Sequence, residues 1–213
     1  MLESFDTFYI ERFEFDKTSL IARFYYSFDH RVEFVEEIDF AADGFSVRND
    51  ADDAVIEAFL WHISIALGIS YYKLSPTTHI IVMSGSLDTD MEVFWNKFYT
   101  HGLGEFFYRN DIDPRGLAQF SSKSNIIYQS HSITTSERAI VPVGGGKDSI
   151  VTIERIRTSG VPMDLVTFGK DNLIYADTAR ISEQDRLIVK RTLSRELFAM
   201  NQAGYYNGHV PIT

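Results

Sequence analysis

Hydrophobic residues recur at every second position in two early segments. In 20–28, Leu20, Ala22, Phe24, Tyr26 and Phe28 fall on one face, and in 32–40 Val32, Phe34, Ile38 and Phe40 do the same. A two-residue period is the signature of strands buried on one side. Asp16-Lys17-Thr18-Ser19 and Asp29-His30 supply turns, so residues 8–40 are predicted to form an antiparallel meander with an acidic outer face. Glu33, Glu36, Glu37 and Asp39 are read as that solvated face rather than as a metal site, because a one-sided sheet produces such alternation.

The period then lengthens. Ala54, Val55, Ala58, Phe59, Trp61, His62 and Ile65 recur at helical spacing, with Asp50 able to cap the start and Gly68 able to stop the end. His62 lies on the apolar side, where a hydrogen-bonded core histidine is the expectation over a ligand. His79 to Met83 reads as a short buried strand and Met91 to Tyr99 as a second helix rich in Phe and Trp. After residue 136 the order becomes strand (Ala139 to Val143), glycine turn, helix (Ser149 to Arg157), strand (Leu165 to Phe168). A third apolar run, Leu187-Ile188-Val189, precedes a helix that Ser194 can cap and Gly204 can end. Alternation of strand and helix predicts a parallel α/β sheet.

Composition divides the chain at the same place. Residues 1–130 carry 10 basic and 21 acidic side chains against 10 and 9 in residues 131–213, and 15 of the 17 Phe precede residue 130. The fold expected is an α+β domain over 1–130, followed by the start of a parallel α/β domain over 136–213. Ser121-Ser122-Lys123-Ser124 and Ser130 to Ser136 are the polar connection. The acidic first part lacks the basic stripe of a nucleic-acid binder. No stretch was expected to approach the ~18 apolar residues of a bilayer span, and the acidic start is unlike a signal peptide, so the expected compartment is the cytoplasm. The chain has no cysteine, which excludes disulfides, thiolate metal sites, thiol nucleophiles and racemisation by a thiol pair.

The segment richest in chemistry is Val141-Pro142-Val143-Gly144-Gly145-Gly146-Lys147-Asp148-Ser149. Three glycines between a strand and a helix leave backbone N–H groups free to converge on an anion at the positive end of the helix dipole. Lys147 adds a mobile positive charge, Ser149 a hydroxyl donor, and Asp148 either a helix cap or a handle for phosphate-bound Mg²⁺. The plainer alternative is a tight turn capped by Asp148. The loop is no Walker A motif, since Asp148 intervenes between Lys147 and Ser149, and no dinucleotide fingerprint is present.

Gly144 to Ser149 resembles the S-G-G-x-D-S loop of the PP-loop ATP pyrophosphatases, with Gly144 in place of the first Ser. Within that superfamily the chain is most similar to the UDP-N-acetylmuramoyl-L-alanyl-L-glutamate epimerase family. Three further segments carry the resemblance: Leu67-Gly68-Ile69-Ser70-Tyr71-Tyr72-Lys73, Gly102-Leu103-Gly104-Glu105-Phe106-Phe107-Tyr108-Arg109-Asn110, and Asn207-Gly208-His209-Val210-Pro211. The resemblance implies an ATP- and Mg²⁺-dependent epimerase of peptidoglycan precursor synthesis, serving cell-wall biogenesis, cell shape and cell division. Its substrate would be a nucleotide-linked muramoyl dipeptide, with no nucleic-acid or membrane partner. Adenylylating the glutamate carboxylate makes its α-proton far more acidic, and AMP and pyrophosphate are released.

The resemblance also implies roles. Gly144, Gly145, Gly146, Lys147 and Ser149 would hold the nucleotide, with Phe168-Gly169 near the adenine, and Asp148 would place the metal. Lys147 and Asp148 are then catalytic, and Arg109, Tyr72 and Asn207 lie at the substrate. His209 is the first candidate for moving the α-proton, with Tyr72, Lys73 and His101 behind it. Each has a structural alternative: His209 as a turn residue, Tyr72 and Lys73 as a helix-exit anchor, His101 as a helix C-terminal cap. Arg109 can clamp a substrate anion or pair with Glu105 four residues earlier. Family members extend past the Asn-Gly-His-Val-Pro segment, so a fragment or one half of a split protein is expected, with an unpaired sheet edge and a partner chain completing the α/β domain. The alternatives are another adenylylating PP-loop enzyme, amide-forming or tRNA-modifying, and a fragment that only binds nucleotide.

Overall fold

The computed structural model describes residues 2–41, 52–132, 135, 137–169, 173–184 and 186–211. In chain order the strands are β1 (Thr7–Asp16), β2 (Ile21–Phe28), β3 (Val32–Asp39), β4 (His79–Val82), β5 (Gln119–Ser122), β6 (Ala139–Pro142), β7 (Met163–Phe168) and β8 (Arg186–Thr192). The helices are α1 (Asp53–Tyr72), α2 (Thr89–Gly102), α3 (Gly104–Arg109), α4 (Lys147–Ser159), α5 (Leu173–Ser182) and α6 (Arg195–Ala203). The strands form one mixed sheet in the order β5-β4-β1-β2-β3-β8-β7-β6. The expected meander is β1-β2-β3, all antiparallel, and the expected parallel unit is β6-β7-β8. They are joined edge to edge, because β8 pairs antiparallel with β3 through Glu37↔Thr192, Ile38↔Arg191 and Asp39↔Lys190. The composition boundary therefore does not interrupt the sheet.

Local chemistry accounts for most elements. Asp16 accepts from the Thr18 N–H and the Ser19 hydroxyl at 2.8 Å each, which closes the first hairpin. Asp29 and His30 take φ of 48° and 54° in the second hairpin turn, where the short polar side chain of an Asp tolerates the left-handed region. Asp52 caps α1 by accepting from the Ala54 N–H; Asp50, the cap expected, lies outside the described residues, as do 133, 134 and 136 of the expected connection. Gly68 does not stop α1, which runs on to Tyr72. It is instead a notch: a Cβ there would stand 2.8 Å from the Tyr99 hydroxyl and 3.1 Å from the Tyr26 ring. Those two tyrosines reach the helix backbone through the notch, Tyr26 donating to the Ser64 carbonyl and Tyr99 to that of Ile65. Ser194 and Gly204 bound α6 as expected, Gly204 at φ 102°.

Four further differences have physical reasons. Ser121 and Ser122 belong to β5 rather than to a linker, because the strand lies at the sheet edge, where polar residues are tolerated. Residues 173–182 form α5, whose exposed Leu173, Ile174 and Ile181 mask the amphipathic period. α1 is long and apolar enough to cross a membrane by length and composition, against expectation. Leu60, Trp61, Ile65, Ile69, Tyr71 and Tyr72 of that helix are buried in the main core, which accounts for its apolarity. Glu36 is not on the solvated face: it is fully buried, in phase with Phe34 and Ile38. Glu37 does remain outside, paired across β2 with Arg23 at 2.9 Å.

Candidate functional site

The glycine loop leaves the sheet at the C-terminal end of β6 and enters α4. Val143 is anchored by donating to the Val166 carbonyl at 2.8 Å, and the loop beyond it is open. A Cβ at Gly144 or Gly146 would meet nothing within 4 Å, whereas at Gly145 (φ 74°) it would stand 3.0 Å from Ile174 and from Tyr175. Gly145 is thus the packed glycine, and the other two line free space. Gly146 is the N-cap of α4 and has no side chain to occupy the first N–H groups of the helix. Asp148 does not cap the helix; it is exposed in the first turn beside Lys147, also exposed. Ser149 Oγ accepts from the Gly144 N–H at 3.1 Å, so the hydroxyl staples the loop and retains its own proton for a further acceptor. Phe168 ends the neighbouring parallel strand and is exposed, and Gly169 turns away at φ 94°.

The loop therefore fits an anion: backbone donors, a helix N-terminus, a lysine and no obstructing side chain. It offers a cation one carboxylate, Asp148. No group of three or more His, Cys, Asp or Glu side chains that could hold a metal occurs among the described residues. Magnesium would have to take most of its ligands from phosphate oxygens and water, as it commonly does.

A second locus assembles the three other segments singled out by resemblance. A groove of about 420 Å³ is lined by Glu105, Phe106, Arg109, Asn110, Asn207, Gly208 and His209. Lys73, at the end of α1, donates from Nζ to the Gly208 carbonyl and toward Asn207 Oδ1 at 3.5 Å. Gly208 is required because a Cβ there would lie 2.9 Å from the Phe106 ring, and Gly102 because one would lie 2.8 Å from Pro211. The Tyr206 N–H donates to the Leu74 carbonyl at 3.1 Å. The C-terminal arm is thus pinned across α3 by residues from two other helices.

The expected roles sort themselves accordingly. His209 and Arg109 are exposed and share the groove, although Arg109 Nε is paired with Glu105 at 2.7 Å. Asn207 also lines it, but its Oδ1 accepts from the Gly208 N–H at 2.9 Å and so shapes the arm. Lys73 is an anchor: only 8% exposed, with its ammonium pushed below the usual lysine range by burial and then by Arg191 nearby. Tyr72 is a correction. It is completely buried, donates to the Thr77 carbonyl at 2.7 Å, and stacks edge-on with Phe8 and Tyr99, so it reaches no substrate. Burial raises its hydroxyl pKa further. His101 sits exposed in the last turn of α2. His62 is half-buried between Trp61 and Trp95, and burial lowers its pKa.

One charged group was missed altogether. Arg191 of β8 binds Glu36 of β3 at 2.6 Å through Nε and Ser70 of α1 at 2.9 Å, and Tyr71 accepts from the Ser194 N–H at 3.2 Å beside them. Burial pushes the Glu36 carboxyl up against the opposing pull of Arg191. The phase of Glu36 with Phe34 and Ile38 was the available signal. The strand directions also relate the two loci. β6, β7 and β8 finish at the end of the sheet where β1, β3 and β4 begin, so loop and groove lie at that one end, with about five strand widths, roughly 24 Å, between β6 and β1.

The UDP-N-acetyl-alpha-D-muramoyl-L-alanyl-L-glutamate epimerase of Xanthomonas oryzae pv. oryzae (strain MAFF 311018) is 31% identical over 217 residues, covering 100% of this chain and 48% of its own length. The protein of the same name from Salinispora tropica is 29% identical, covering 100% and 47%; that from Micromonospora sp. is 30% identical, covering 78% and 37%. The chain spans about half the length of the curated relatives it matches. No solved structure matches it. The MurL N-terminal domain family matches residues 1–213, end to end, and the chain belongs to that family.

Proposed function

We propose that this chain is the nucleotide-gripping half of an epimerase that inverts the terminal L-glutamate of UDP-N-acetylmuramoyl-L-alanyl-L-glutamate in an ATP-dependent reaction of the PP-loop type. The observation that carries the reading is the open loop Gly144 to Ser149 at the start of α4, with two glycines facing free space and Lys147 beside them. The names of the relatives support the substrate. When bound, ATP would supply the activation that makes the α-proton of the glutamyl carboxylate removable. The protein's own part is positional and electrostatic. Backbone N–H groups of the loop would cradle the pyrophosphate, and Lys147 would offset its growing charge. Asp148 would share Mg²⁺ with phosphate oxygens. Phe168, exposed one strand over, offers a face to the base. In the groove, Arg109 would hold a substrate anion by exchanging its partner Glu105, and His209 would contact that same end of the substrate, since about five strand widths, roughly 24 Å, separate the groove from the loop where the carboxylate is activated. A nucleotide-linked substrate puts this work in the cytoplasm.

The test has two stages. Titrating the chain with pyrophosphate or ATP, followed by amide NMR, is expected to shift Gly144, Gly145, Gly146 and Ser149, with at least about tenfold weaker binding in Lys147→Ala. In the full-length protein, AMP release is expected to depend on the muramoyl dipeptide and to be lost in Lys147→Ala and Asp148→Ala. Unchanged release in both variants would remove the loop from the reaction.

A further inference from the structure

β6 closes the sheet on its side and pairs with β7 alone among the described strands. Ala139 and Val143 donate toward the β7 side, to the carbonyls of Pro162 and Val166. Strand alternation therefore turns the backbone groups of Ile140 and Pro142 outward. The Ile140 side chain is 68% exposed on one face of this edge. On the other face Val141 is buried, but α4, which crosses there, presents Ile150 and Val151 outward at 53% and 52% exposure. They line a shallow trough of about 410 Å³ with Glu154, Arg155 and Thr158.

The opposite edge of the same sheet is finished differently. β5 carries Gln119, Ser121 and Ser122, and the Phe120 N–H is taken by Asn96 Oδ1 of α2 at 2.7 Å. Polar residues and a side-chain cap are how an edge is made safe in water. A parallel edge strand with an apolar side chain bare on one face, and with bare apolar side chains on the helix that covers its other face, is instead the pattern of an edge meant to be covered, since parallel sheets are packed on both sides. In the curated relatives the matched stretch is about half of the chain, and its family describes it as N-terminal. A polypeptide of similar length thus accompanies this region in those proteins.

We propose that β6 and the outer flank of α4 are the seat of that second half. A strand from it pairs with β6, accepting from the Ile140 N–H and donating to the Ile140 and Pro142 carbonyls. An apolar helix face from it covers Ile150 and Val151. Pro142, lacking an N–H, removes a single bond from the ladder. Docking there also walls the glycine loop, which starts two residues after Pro142.

Hydrogen exchange tests this by comparing the 213-residue chain with the same chain joined after Thr213 to the unmatched part of the Xanthomonas oryzae relative. The Ile140 amide is expected to slow at least about tenfold in the joined protein while Phe120 keeps its rate. The double variant Ile140→Asp, Val151→Asp, both at exposed positions, should return Ile140 to its rate in the shorter chain and leave Phe120 protected. Three results would overturn the assignment. One is an unchanged Ile140 rate beside a protected appended half. Another is an appended half unprotected along its whole length. The third is concentration-dependent protection of Ile140 in the shorter chain together with a dimer mass by light scattering, which would give the edge to a second copy.

Discussion

The two ends of the sheet are held by different means. Among the described residues thirty buried hydrophobics form one cluster, centred on β1 to β5, that includes Trp61, Tyr26, Tyr72, Tyr99, Phe8 and Phe28, locked by tyrosine hydroxyls bonded to the α1 backbone. Under α4 and α5 the second cluster holds only Val141, Val143, Ile153, Met163, Leu165 and Ala179 among the described residues. The other face of β7 and β8 belongs to the large cluster, through Val166 and Val189 under Leu197 and Met200 of α6. A densely packed aromatic block thus carries a lightly packed glycine-loop unit on one side, and the only charged pair buried at the junction is Glu36 with Arg191 among the described residues. Binding loops belong at the low-stability end of a fold, since they must open and close.

The most disruptive way to probe this contrast is to hollow each core in turn. Phe8→Ala is expected to cost about 3–5 kcal/mol and to unfold the whole chain cooperatively in denaturant. Leu165→Ala, at about 2–4 kcal/mol, should instead release the amides of β6, β7 and α4 in hydrogen exchange while β1 and β2 stay protected. Equal loss of protection across both regions would mean that the sheet unfolds as one unit.

Next in size is the junction. Arg191→Ala leaves the Glu36 charge buried without its partner and should cost about 3 kcal/mol, measured by urea unfolding. Replacing both, as Glu36→Leu with Arg191→Met, should recover most of that loss, because an apolar pair carries no desolvation penalty. The same carboxyl supplies a pH signature. Its folded pKa is raised above the unfolded value of about 4.3, so the stability it contributes is complete below that pH and is lost as pH rises through the folded pKa. The melting temperature of the native chain relative to Glu36→Gln is therefore expected to fall as pH is raised from about 4, and a flat difference would contradict it.

The smallest effect separates the glycines. Gly145→Ala forces a side chain into φ 74° against Ile174 and Tyr175 and should cost about 1–2 kcal/mol. Gly144→Ala meets open space and should leave thermal stability within about 0.5 kcal/mol, so any loss of anion binding it causes is a loss of backbone approach.

Period and turn chemistry made the meander, α1, α2, the β6-loop-α4 unit and α6 legible from residues alone. Alternation of Ala22, Phe24, Tyr26 and Phe28 needs no partner to be recognised, and neither does a strand that runs through glycines into a helix. Gly68 misled because a glycine that admits two tyrosines looks, along the chain, like one that ends a helix. Tyr72 misled because nothing local separates a core hydroxyl from a binding one. Glu36 was legible in phase but not in meaning, since its partner lies 155 positions away.

What the chain order determined by itself was local: element types, most of their ends, the glycine loop and its place before a helix, all set by interactions within a few residues. Tertiary structure alone decided that β8 joins β3, so that two compositional halves share a sheet. It also brought Lys73, Phe106 and Gly208 together, and left Ile140 of β6 bare at one edge of the sheet while β5 is protected at the other. These are contacts between distant residues, where the desolvation of a charge or the room left for a missing Cβ depends on which segments meet, and no periodicity along the chain records that.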